Sequence, residues 1–372
     1  RRGVPRGVEG GAEGPEGSRH RGPDMGGGLG VLERCGCAVG GVRQALGWGF
    51  AGSDRAVPDA EYEAGARARL AGGTGACEFM NWGFAPSTPR AARLAREYSG
   101  AADPEAVHSL AAYLRVFEEG CRPDALAPGS KVLEVGSGRG AGLSLLSKEY
   151  PAFTFVGLDT CQGNLACSKT LRSPRGNVTW VKGDAIDLPF ADGSMDAVIC
   201  IESSHCFADF ERFLAEIRRV LRPGGRMSLS DLRWREQSLA YRAWGTRGGV
   251  GLLQPHQAAI HDCGMHIVRQ TDITHNVASA RELCTEFEVG KLRSDEPDSA
   301  RRFYSMNQRA LVGTSVHRWL KGGQMAYFHW VLEKPFAEGP RARLLALREL
   351  YSKGLLNKSV YEKEQALVVA QI

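Results

Sequence analysis

Short apolar runs alternate with amphipathic stretches through the middle of the chain. The runs are "KVLEVG" from Lys131, "FTFVGLD", "VTWVKGD", "MDAVICIE" and "GRMSLSDL", while "NLACSKTLRS" and "DFERFLAEIRRVL" between them carry apolar residues at three- and four-residue spacing. Strands alternating with helices predict a parallel, doubly wound α/β sheet, Rossmann-like in kind. Upstream, residues 88–120 read as two helices, with Asp103 as N-cap and Pro104 in the first turn of the second. Downstream of Asp231, residues 232–270 read as a helical cover carrying Trp234, Tyr241 and Trp244, and residues 281–321 as helices between the last strands. After Pro335 the pattern predicts a helix from about Ala342 to Lys353, a stop at Gly354 and a second helix after Asn357. Residues 1–75 show no sustained apolar period and are rich in Gly, Arg, Ala and Glu, which predicts a disordered leader. The expected domains are therefore this leader, a body over residues 76–335 and a C-terminal helical hairpin over 336–372.

Composition narrows the classes. A chain of 372 residues is long enough for a sizeable core, and its formal charge of +5 is small and dispersed, so nucleic acid is not expected as a partner. No run of about 18 apolar residues predicts a membrane span, and the N-terminal residues lack a secretory signal, so a soluble, cytoplasmic protein is expected. The leader could instead be an organelle transit peptide, but Glu9, Glu13, Glu16 and Asp24 oppose that. Ten cysteines are scattered, and the close pair Cys35 and Cys37 has no second pair at zinc spacing, so reduced thiols and no metal are expected. The chain opens on Arg, which fits a fragment or a translation extended upstream, with Met25 as one candidate start.

Candidate chemistry begins at "KVLEVGSGRGAG". Gly136, Gly138 and Gly140 let the chain turn sharply beside a helix N-terminus and let a ligand approach the backbone closely. Gly136, Gly138 and Ala141 also satisfy a dinucleotide fingerprint, so a nicotinamide-dependent dehydrogenase stays open on this loop alone. Asp159 closes the second strand where a carboxylate accepts both ribose hydroxyls. At the end of the third strand, Asp184 and Ala185 can present a carboxylate and a backbone amide to an adenine edge, a feature that dinucleotide enzymes do not usually carry.

Together "VLEVGSGRG", "GLD", "GDAIDLPFADGSMDAV" and "VLRPGG", in this order, resemble the class I S-adenosylmethionine-dependent methyltransferases over roughly residues 78–335. With "IESSHCF", "DITHNV" and "MNWGF", the chain is similar to small-molecule O-methyltransferases of lipid and polyketide pathways, phthiotriol/phenolphthiotriol dimycocerosate and rifamycin types nearest. The resemblance implies a seven-stranded sheet with an antiparallel last strand, for which "GQMAYFHWVLEKP" is the candidate. It implies S-adenosylmethionine held by Glu134, Gly136, Ser137, Gly138 and Gly140 at the methionine end, by Asp159 and Thr160 at the ribose and by Asp184 and Ala185 at the adenine. One departure matters: the family's N-terminal motif usually carries a tyrosine hydroxyl, whereas Phe84 follows Gly83 here. The last 37 residues resemble the short two-helix SHOCT module, an interaction element, which implies self-association through the hairpin.

Methyl transfer from a sulfonium is an in-line displacement, so alignment and water exclusion are the main tasks, and a hydroxyl acceptor must also lose its proton. Ligands of doubly wound sheets bind at the carboxyl ends of the strands, where His205 follows the fourth strand and Asp231 ends the fifth. The pair is predicted to act as general base and orienting acid, the roles that a histidine and an acid at these places take in similar O-methyltransferases. The second reading of His205 is a histidine that lines the acceptor pocket without moving a proton. Glu202 is expected to border the cofactor, Cys206 reads as a small buried thiol, and His256, His261 and His266 fail to share a helical face. The alternatives are methyl transfer to nitrogen or carbon, as in phosphoethanolamine or sterol pathways, and a non-catalytic binding or scaffold protein of the same fold.

Overall fold

The computed structural model describes residues 59–70, 79–99, 103–171, 176–242, 250–295, 309–336 and 339–371. The helices are α1 (Asp59–Leu70), α2 (Pro89–Ser99), α3 (Pro104–Arg115), α4 (Ala141–Glu149), α5 (Gln162–Leu171), α6 (Phe210–Val220), α7 (Leu253–Asp262), α8 (Thr274–Asp295), α9 (Ser315–Lys321), α10 (Pro340–Ser352) and α11 (Lys358–Val369). The strands are β1 (Lys131–Val135), β2 (Thr154–Asp159), β3 (Val178–Lys182), β4 (Met195–Ile201), β5 (Leu221–Trp234), β6 (His266–Asp272) and β7 (Met325–Glu333).

These strands form one seven-stranded sheet in the order β3-β2-β1-β4-β5-β7-β6. β1 to β5 run parallel, and β7 lies antiparallel between β5 and β6. The expected sheet and its antiparallel last strand are thus observed. This order departs from the all-parallel dinucleotide arrangement, which the glycine loop alone left open. β1 and β4 read as near-continuous apolar runs because helices cover both of their faces; all seven residues of β4 are buried. One apolar layer sets Phe117, Phe155, Ile199 and Leu146 against α2, α3 and α4. The other sets Leu133, Val198, Leu229 and Trp330 against α6 and α7.

Asp103 caps α3 by accepting from the amides of Glu105 and Ala106, with Pro104 in the first turn, as the spacing predicts. The C-terminal hairpin also follows its pattern: Asn357 caps α11, Gly354 takes φ +68°, and Leu347, Leu350, Leu356 and Val368 form its own small core.

Two expectations are corrected. Trp234 is not in a helical cover; β5 extends through it because β7 pairs with that strand up to Met325. Its ring is buried against Trp319, 5.2 Å away between centroids, and Tyr241. Trp244 lies outside the described residues. Within the expected leader, residues 59–70 form α1, whose Ala66 is fully buried and whose Ala66 carbonyl accepts from the Cys167 thiol of α5 at 3.4 Å. The buried contact is made by a small residue, Ala66, which hides this packing from a period-based reading. The remainder of that leader lies outside the described residues.

Candidate active site

The parallel strands deliver the predicted residues to one edge of the sheet. β1 ends at Val135 and the chain turns through Gly136, Gly138 and Gly140, at φ +73°, +53° and +73°. Positive φ is one reason glycine is needed here; crowding is another, since a side chain at Gly136 would collide with Ser203 and one at Gly138 with Met80 Sδ. The loop is fastened to the next strand. The amides of Gly136 and Ser137 donate to Leu158 O at 2.8 and 2.9 Å, and that of Gly138 donates to Asp159 Oδ2 at 2.8 Å. Asp159 Oδ1 accepts from the Cys161 amide at 2.9 Å, so this carboxylate shapes the loop besides facing the place where a ribose is expected. Thr160 is exposed beside it, and Asp184 is exposed and Ala185 buried just past β3.

Glu134 is buried in β1 and accepts from the Tyr113 hydroxyl at 2.9 Å. Burial pushes its carboxyl up to about 8 against the pull of that hydroxyl. Glu134 Oε2, Ser137 Oγ and Asn164 Oδ1 are buried with no hydrogen-bond partner among the described residues. Buried polar groups are nearly always paired, so this loop suits a polar ligand with cationic and hydroxyl groups.

β4 places the reacting side. Ser203 Oγ donates to Val135 O at 3.0 Å, which joins the turn after β4 to the glycine loop. The short 3-10 turn Ser204–Cys206 then sets His205 over the end of β5. His205 Nδ1 lies 2.9 Å from Asp231 Oδ1, and the His205 amide donates to Asp231 Oδ2 at 2.9 Å. Asp231 is fully buried and also accepts from Ser204 Oγ at 2.5 Å, with Arg233 Nη1 at 3.3 Å. Burial opposes its charge, but His205 and Arg233 outweigh that and hold the carboxyl far below the usual carboxylate range. Burial likewise opposes a charged His205, yet the negative charges of Cys206, whose thiol the ring holds below its ordinary value, and of Asp231 leave the His205 pKa well above the ordinary histidine value.

Glu202 sits next to them in a left-handed conformation, φ +48°, rare for a non-glycine residue. Its Oε1 accepts from the Trp82 amide at 2.5 Å and from the Tyr327 hydroxyl at 2.7 Å. Burial raises this carboxyl to about 7, and those two donors oppose the rise. Tyr327 comes from β7 and supplies an aromatic hydroxyl to a site whose N-terminal motif lacks one. Sequence reasoning missed it, because only the antiparallel insertion of β7 brings it opposite Leu232 of β5. It also missed Tyr62 of α1, whose hydroxyl is 3.4 Å from Cys206 Sγ. In the N-terminal motif, the Trp82 ring packs 6.5 Å from Tyr327 and the Phe84 amide donates to His108 O. Of the discounted histidines, His256 is buried in α7 and stacked 3.8 Å from Phe210; no cluster of three metal-ligating side chains occurs among the described residues.

A sheet of this order with a glycine loop after β1 and an acid at the end of β2 is the arrangement that the methyltransferase resemblance implies. A "methyltransferase domain" family model matches residues 133–229. The phthiotriol/phenolphthiotriol dimycocerosates methyltransferase of Mycobacterium leprae is 31% identical over 256 residues, 68% of this chain and 84% of that protein. Its Mycobacterium tuberculosis counterpart is 36% identical over 200 residues, 54% of this chain and 67% of that one. The chain belongs to this family and is an S-adenosylmethionine-dependent methyltransferase. A fatty-acid O-methyltransferase of Mycolicibacterium smegmatis is 43% identical over a shorter stretch, 28% of this chain and 38% of that protein. Among solved structures, a putative sarcosine dimethylglycine methyltransferase from Galdieria sulphuraria superposes with a TM-score of 0.59 at 16% identity, covering 73% of this chain and 98% of that one. The [4+2]-cyclase SpnF superposes at 0.56 and 19% identity, covering 76% and 99%. Both likenesses establish the fold, and the second illustrates that the fold does not fix the reaction.

Proposed function

We propose that this methyltransferase modifies a hydroxyl of a lipid-like or polyketide-like small molecule, with His205 removing the acceptor proton. The observation that carries the reading is the His205 Nδ1 to Asp231 Oδ1 contact at 2.9 Å. An imidazole that donates Nδ1–H to a carboxylate keeps Nε2 as its acceptor, and the ionised Asp231 stabilises the ring once it is charged. The mycobacterial relatives, a phthiotriol/phenolphthiotriol dimycocerosates methyltransferase and a fatty-acid O-methyltransferase, support a lipid acceptor.

S-adenosylmethionine would supply a methyl group activated by a sulfonium. Glu134, Gly136, Ser137, Gly138 and Gly140 would hold its methionine end, Asp159 and Thr160 the ribose, Asp184 and Ala185 the adenine, with Glu202 at the border. The segment of residues 79–85 covers the loop and keeps water from it; its Trp82 amide is fixed by Glu202. We place the enzyme in the cytoplasm and assign self-association to the hairpin, whose Leu345, Leu367 and Val369 are exposed.

Methyl transfer to nitrogen or carbon is the second reading, favoured by Glu202, a half-buried carboxyl at about 7 that is also able to take a proton. The test is turnover of His205→Ala and Glu202→Gln on acceptors drawn from lipid extracts with a radiolabelled methyl donor. His205→Ala is expected to lower kcat about 100- to 10,000-fold with cofactor Kd unchanged. Loss confined to Glu202→Gln would favour the second reading, and no saturable cofactor binding by the parent would refute both.

A further inference from the structure

Asp231 and Arg233 are two residues apart on β5, so both side chains stand on one face of the strand. The Arg233 guanidinium is buried, and every nitrogen of it is used. Nη1 donates to Leu232 O at 2.6 Å and lies 3.3 Å from Asp231 Oδ2, Nη2 donates to Ser204 Oγ at 2.9 Å, and Nε donates to His256 Nδ1 at 3.0 Å. An arginine cannot accept, so Nδ1 of His256 must be unprotonated. Burial and the charge of Arg233 hold the His256 pKa well below its ordinary value, which agrees with a neutral ring. Phe210 closes the arrangement, with its ring 5.6 Å from Arg233 Cζ and stacked on His256.

The two oxygens of Asp231 are served unequally. Oδ2 takes Ser204 Oγ, the His205 amide and Arg233, whereas Oδ1 takes the Leu232 amide at 2.8 Å and the His205 ring. Rotation of the carboxylate would break the first set. A buried ion pair alone adds little net stability over an apolar pair of the same shape, so stability gives a weak reason for charge here. Orientation gives a better one.

We infer that Arg233 is a positioning residue for methyl transfer: with Ser204 and His256 it clamps Asp231 Oδ2, so that Oδ1 fixes the His205 ring. This rests on the reading of His205 as the base. Phe210 and His256 thereby enter the catalytic arrangement from α6 and α7, two helices that contribute no residue to the glycine loop.

The test compares full-length Arg233→Met and Arg233→Lys, each with and without His205→Ala, in two measurements. The first is the low-field proton NMR resonance of His205 Nδ1–H, assigned by its absence from His205→Ala. The second is single-turnover methyl transfer at saturating cofactor. Arg233→Met is expected to lose the resonance and to slow transfer about 100-fold with cofactor Kd unchanged. Arg233→Lys should recover part of both, and His205→Ala/Arg233→Met should be no slower than His205→Ala. Retention of the resonance in Arg233→Met, or the same fold loss in both backgrounds, would overturn the inference. If His205→Ala transfers at the parent rate, the base reading fails while the resonance still decides the clamp. Should Arg233→Met not fold, His256→Leu, which keeps the guanidinium but removes the acceptor of Nε and the ring stacked on Phe210, is read in both measurements with the same expectation and the same contrary outcome.

Discussion

Two carboxyls in the site are held in different states by their surroundings. Asp231 is fully buried but faces Arg233 and His205, and it stays ionised. Glu134 is equally hidden, and burial and the charge of Asp159 hold it up to about 8 against the hydrogen bond from the Tyr113 hydroxyl. Below that value it is largely neutral, so an ammonium group arriving beside it must displace a proton. Cofactor binding at pH 7 is accordingly expected to release close to one proton, measured by titration calorimetry in buffers of different ionisation enthalpy. Glu134→Gln should bind more weakly and release none. The signs for stability follow from the same shifts. His205 has a raised pKa, so its pairing adds stability that is complete below the unfolded histidine value and fades as pH rises through the folded one. Asp231 is lowered, so its share is present above the unfolded carboxylate value and is lost as pH falls.

At the scale of elements, β1 to β5 were legible because each carries a chemical signature in it or just past it: glycines after β1, Asp159 at β2, Asp184 after β3, His205 after β4 and Asp231 in β5; β6, without one, was read as part of the helical cover. The pairing of Asp231 with Arg233 was not read from the sequence, because the stretch after Asp231 was taken for a helical cover and alternate positions share a face only once β5 is seen to continue to Trp234. Tyr327 and Tyr62 were not legible either, because each reaches the site through a long-range pairing that no local period encodes. Helix α1 was hidden for a related reason. Its contact with α5 is made by small residues, Ala66 against Gly163, and by the Glu63 carboxylate, which accepts from the Gly163 amide at 2.9 Å. Overpacking such a contact is costly, so Ala66→Phe should destabilise the protein by about 1–3 kcal/mol in denaturant unfolding. An unchanged midpoint would contradict the packing of α1.

For the whole molecule, the sheet divides labour between its two halves. β1, β2 and β3 carry the residues assigned to the cofactor, while β4, β5 and β7 carry the histidine, its aspartate and the tyrosine, and Ser203 bridges the halves through Val135 O. The hairpin stands apart from this chemistry. It touches the body where Leu356 bridges to Leu126 and Asn357 Nδ2 donates to Asp124 O at 3.3 Å. Replacing Leu345, Leu367 and Val369 together by Gln is expected to lower the mass found by light scattering without changing methyl transfer; an unchanged mass would remove the assignment of self-association to the hairpin. No helix among the described residues is long and apolar enough to cross a membrane.

The claim on which the rest depends is that a neutral His205 takes the acceptor proton. The most direct measurement is the pH dependence of single-turnover methyl transfer at saturating cofactor, in the parent and in His205→Ala. Because His205 is held well above its ordinary value, the parent rate should rise with pH through that raised pKa and then level off, while His205→Ala shows a slow rate without that limb. A parent rate that is flat from mildly acidic to alkaline pH, or a limb that persists in His205→Ala, would contradict the account.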